Sequence, residues 1–128
     1  MRMDALTLER PGVTAIAAIT ILTGAAQLVA PTPLLPLLHV EPRADAAHLF
    51  ATVGMFMILF GGAVLHAQAR REALPVVLLW AGLQKIGASL LVALGVRRGV
   101  FAELALAVAA FDFLSGLLFF DLRRRESR

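Results

Sequence analysis

Two ionisable residues, Lys85 and Asp112, stand inside long apolar runs where a charge is hard to keep. Lys85 lies about 17 Å from the start of its run at Leu74, and Asp112 about 15 Å from the end of its run at Leu122, at a helical rise of about 1.5 Å per residue. If the two runs are antiparallel neighbours, both charges arrive at nearly the same depth. An unpaired charge at the centre of a bilayer costs at least about 2.5 kcal/mol, so pairing is the expected relief. The faces agree with this. Lys85 shares its helical face with Ala81, Gly82, Ala88 and Ser89, and Asp112 shares its own with Ala105, Ala109, Ser115 and Gly116. Small residues allow helix backbones to approach closely in lipid.

Such a pair has two uses. It locks the register of two helices, or it forms the polar centre of a site for a ligand, ion or proton. Gln84 and Trp80, one turn apart on an adjacent face, together with Ser89 and Ser115, extend the candidate binding set built on Lys85 and Asp112. Thr20, Thr23, Gly24 and Gln27 line one side of the first run, and Gly54 and Gly61 with Ala51 and Ile58 form a seam on the second; both read as packing surfaces. Glu103 reads as interfacial, one turn from a boundary that a carboxylate can reach. His48 and His66 would sit about 27 Å apart at opposite ends of one helix and cannot share a metal.

The elements that must position these residues are four apolar runs, 13–30, 48–65, 74–96 and 100–122. Each is long enough to span the roughly 30 Å of hydrocarbon in a bilayer. Unbroken runs of this length favour helices over the short alternating strands of a membrane barrel. Composition agrees: of 128 residues, 59% are hydrophobic and 16% charged, with mean hydropathy +0.82. A soluble domain of this size carries about a quarter charged residues. The expected fold is all-α, a single domain over 1–128 forming an integral-membrane antiparallel four-helix bundle.

Breakers mark the boundaries. Pro11 and Gly12 precede the first run, prolines 31, 33, 36 and 42 interrupt the next connection, and Pro75 suits the first turn of the third helix. A tight turn is expected at 95–99. Short connections at 66–73 and 95–99 make the second and third helices, and the third and fourth, neighbours. The leucine-rich 31–47 connection is expected to lie along the membrane surface or to cap the bundle. Asp4, Glu9 and the nearby prolines argue that the first run is a retained span rather than a cleaved signal.

Chain-wide counts narrow the chemistry further. Without cysteine, thiolate metal sites and disulfides are excluded. No motif calls for a cofactor or metal, and no catalytic residue stands out. The chain carries net charge +3 and a pI near 11.0, but its arginines flank apolar spans, which points to lipid headgroups rather than nucleic acid. Arg2, Arg10, Arg70, Arg71, Arg123, Arg124, Arg125 and Arg128 gather on one side and Arg43, Arg97 and Arg98 on the other. The positive-inside rule then puts both termini in the cytoplasm.

The stretches ATVGMFMILFGG, WAGLQKIGASL and FDFLSGLLFF, with the overall size and helix spacing, resemble small bacterial four-helix membrane proteins of the DoxX-like kind. Some of those are associated with quinone-linked oxidoreductases, so the resemblance implies a redox-partner role. Small multidrug transporters resemble the chain less, because their first-helix glutamate has no counterpart here. The leading expectation is a non-enzymatic lipophile-binding or accessory subunit in contact with membrane lipids and a hydrophobic small molecule, as a homodimer or in a larger complex. A dimeric proton-coupled transporter and an intramembrane enzyme on a lipid-like substrate are the alternatives.

Overall fold

In a computed structural model the chain is described over residues 2–126, with side chains from Glu9 onward. Arg128 and the Arg2 side chain, counted above on the arginine-rich side, lie outside the described residues. The elements are α1 (Arg2–Val29), a single turn α2 (Pro31–Leu34), a 3₁₀ turn (Leu35–Leu38), α3 (Ala44–Arg70), α4 (Leu74–Arg97) and α5 (Ala105–Glu126). Among the described residues there is no strand. Four helices are long and apolar enough to cross a membrane: Glu9–Val29, Ala44–Arg70, Leu74–Arg97 and Ala105–Glu126. The molecule is an all-α bundle with the length and composition of a four-span membrane protein.

Three boundaries differ from expectation for identifiable reasons. Helix α1 does not begin after Pro11 but runs through it. The turn just before Pro11 is held from outside the helix, because Arg10 pairs with Glu126 and Glu9 accepts from Arg125 at 3.2 Å. Prolines 31, 33 and 36 do not forbid helix in the first connection. They fall in the first turns of α2 and the 3₁₀ segment, where a missing N–H is harmless. His39, in the left-handed region at φ 59°, ends the segment. Helix α5 starts at Ala105 rather than at 100, because Phe101 folds back against Gly95 and the Ala102 N–H donates to the Leu38 carbonyl at 2.9 Å. That bond ties the first connection to the α4–α5 loop, and Leu35 beside it is buried.

The helices pair as two hairpins, α1 with α3 and α4 with α5, with sparser contact between the pairs. The expected α3–α4 neighbourhood is present but secondary. Within the first hairpin the backbones nearly touch: a Cβ on Gly24 or on Gly54 would stand 2.5 Å from the carbonyl oxygen of the other. Within the second, Gly116 meets Ile86 and the Gly82 backbone.

The apolar core shared by the hairpins lies at one end. The core comprises Val13, Ala17, Val64, Ala67, Leu74, Leu78, Ala81, Phe119 and Leu122, all in the half of the bundle beside the termini. Beyond it, helix faces that are buried in the core become exposed. On α3 the stripe Ala67, Val64, Phe60, Phe56, Val53, Leu49 passes from buried to exposed along its length. On α5 the stripe Leu122, Phe119, Ser115, Phe111, Val108 does the same and continues to Leu104 just before the helix. These residues recur at three- and four-residue spacing, so each set shares one helical face. The hairpins therefore diverge toward the end opposite the termini, like the arms of a V, with the Leu38–Ala102 bond bridging their tips.

Candidate functional site

The apex of that V is polar. Lys85 is buried on α4, its side chain 5% exposed, and its Nζ lies 3.1 Å from Asp112 Oδ1 on α5 and 2.7 Å from Thr20 Oγ1 on α1. The expected meeting of Lys85 and Asp112 across antiparallel helices is present in the geometry. Thr20 is the member that sequence reasoning missed. Its hydroxyl donates to the Ile16 carbonyl one turn back at 2.8 Å, which turns the oxygen lone pairs toward the lysine. The signal was in the sequence: Thr20 lies on the same stripe as Gly24 and Gln27, at mid-depth in a span.

The third side of the ammonium faces an aromatic ring, with Nζ 5.5 Å from the Phe111 centroid, within reach of a cation–π attraction. An ammonium has three donors and no acceptor; Asp112 and Thr20 take two of them, and the buried side chain leaves little room at the third. Asp112 is more open. Among the described residues its carboxylate takes a hydrogen bond from Lys85 alone, through Oδ1, and its side chain keeps 14% of its surface exposed. Chemically the centre is a satisfied cation and a carboxylate with acceptor capacity left over. Joining α1, α4 and α5, it also pins the two hairpins together where their apolar contact ends.

The other expected site residues divide. Ser89 and Ser115 are buried on the predicted faces, and Ser89 donates to the Ile86 carbonyl of its own helix at 2.8 Å. Gln84 is half-buried. Trp80 does not join the group: it is 61% exposed on the outer surface of α4. One turn from Gln84, its position allowed either an inward or a lipid-facing ring, and Ala81 and Gly82 take the inward face instead. Glu103 is exposed in the turn before α5, and His39, His48 and His66 are exposed.

A second polar layer closes the end beside the termini. Arg125 Nε donates to Glu9 at 3.2 Å and to Asp121 at 3.0 Å, Arg124 pairs with Asp121 at 2.5 Å, and Arg10 pairs with Glu126. Arg123 Nε donates to the Pro75 carbonyl at 3.2 Å. Sequence reading gave these arginines to lipid headgroups; the structure gives several of them acidic partners on facing helices. The carboxylates were legible as residues, but their pairing requires that α1 and α5 be known neighbours. Thr14, also at this end, donates to the Arg10 carbonyl. Gln27 Oε1, near the far end of α1, is buried without a hydrogen-bond partner.

With this geometry in hand, the chain matches no protein-family model, no curated protein and no solved structure.

Proposed function

We propose that the protein is a lipophile-binding or accessory subunit of the bacterial inner membrane, with both termini in the cytoplasm and its ligand held at the Lys85–Asp112–Thr20 centre. One observation carries the reading: the Asp112 carboxylate keeps exposed surface at mid-depth, at the apex of two diverging hairpins. A carboxylate oxygen facing hydrocarbon is unfavourable, and a lipophile with a polar end relieves it. A register lock alone has no use for that surface. The DoxX-like resemblance points the same way, toward an accessory role beside a larger membrane enzyme.

The test is ligand content. Wild-type protein extracted in mild detergent is expected to carry a lipophile detectable by mass spectrometry of organic extracts. The double variant Lys85→Met, Asp112→Leu is expected to fold and to lose it, because apolar residues of similar volume often replace a buried ion pair without loss of stability. A folded double variant with undiminished lipophile content refutes the reading.

Orientation rests on the arginines at the termini and at the α3–α4 turn. A reporter fused to the C-terminus is expected to be active only as a cytoplasmic reporter; periplasmic activity reverses the topology.

A further inference from the structure

We infer that the ligand is an apolar alcohol, admitted between α1 and α5 in the half of the bundle where the hairpins diverge, with its hydroxyl donating to Asp112. The inference rests on the lipophile-binding reading and adds the chemical class and the route.

The class follows from what the centre leaves unused. Lys85 gives two donors to Thr20 and Asp112 and, with its side chain 5% exposed beside the Phe111 ring, offers an incoming carbonyl or ether oxygen little access. The spare capacity belongs to Asp112, and an ionised carboxylate only accepts. A molecule matched to that group must present an O–H or N–H.

The route follows from where the polar centre lies between the helices. Thr20 belongs to α1 and Asp112 to α5, and α3 supplies no member. The seam leading to Asp112 is the one between α1 and α5. Its wall on the α5 side is Phe111, Val108 and Leu104, with Val108 47% and Leu104 60% exposed; exposed Thr23 stands on α1. Apolar walls accept a hydrocarbon body, and the carboxylate at the apex fixes its end. Neutrality is favoured over a cationic amine because Lys85 already balances the charge of Asp112.

The probe pair is farnesol and farnesyl methyl ether, which share one hydrocarbon chain and differ in the donor. Binding to wild-type protein in nanodiscs is measured by native mass spectrometry. Farnesol is expected to bind and the ether to bind about tenfold more weakly, the scale of one hydrogen bond to a charged acceptor. Val108→Trp, which fills the α1–α5 seam from an exposed position, is expected to weaken farnesol at least about tenfold. Leu49→Trp, on the exposed face of α3, is expected to leave farnesol unchanged. Equal binding of ether and alcohol overturns the donor class. Farnesol binding indifferent to Val108→Trp, or lost in Leu49→Trp, overturns the route. If neither probe binds while extracted wild-type protein carries a lipophile that the double variant lacks, the alcohol class fails and lipophile binding stands. If that lipophile is absent as well, both fail together.

Discussion

Asp112→Leu alone is expected to destabilise the bundle by about 3–5 kcal/mol, and adding Lys85→Met is expected to recover most of that loss. The asymmetry comes from what each change strands. Removing Asp112 leaves an ammonium, 5% exposed, with a neutral hydroxyl and a ring face as its remaining partners. Neither supplies a counter-charge. Removing the lysine as well takes away the group that needed one. The measurement is reversible unfolding in mixed micelles, with both single variants and the double variant forming one cycle. A double variant at least as unstable as the sum of the singles shows that Lys85 and Asp112 are not energetically coupled.

The second large effect concerns the α1–α3 crossing. Gly54→Ala is expected to cost about 1–3 kcal/mol, as overpacking does in a tight interior. The added Cβ would stand 2.5 Å from the Gly24 carbonyl oxygen and 2.9 Å from the Gln27 Cβ, and backbone cannot swing aside as a long side chain can. Gly62→Ala in the same helix is the control. Nothing lies within 4 Å of a Cβ placed there, so it is expected to be neutral or to stabilise by up to about 1 kcal/mol, the helix propensity difference between glycine and alanine. The same micelle unfolding reads both. Equal effects at the two glycines dismiss the close crossing.

Sequence made the helical spans and the meeting of Lys85 with Asp112 legible, for a common physical reason. Both follow from one-dimensional quantities: run length against bilayer thickness, and rise per residue against depth. The faces were legible too, since small residues around each charge mark the side where another backbone fits. What sequence could not rank was which helices pair most closely. Short connections made α3 and α4 neighbours, yet the closest partner of α3 is α1, through Gly24 and Gly54, across a seventeen-residue predicted connection spanning 31–47. Without that pairing, Thr20 looked like packing, and Glu9, Asp121 and Glu126 had no assigned partners. Trp80 misled because a residue beside a polar stripe can turn either way, and only the packing of Ala81 and Gly82 decides.

The outward turn of that tryptophan has a spectroscopic consequence. It is the only indole in the chain, and it sits about 9 Å along α4 from Leu74 at a rise of about 1.5 Å per residue. Its fluorescence therefore samples the surrounding acyl chains, not the lysine–aspartate centre on the opposite side of the helix. The protein carries its own depth gauge: quenching by lipids brominated at known carbons along the chain reports how deeply α4 is immersed, with no label added and no residue of the polar centre altered.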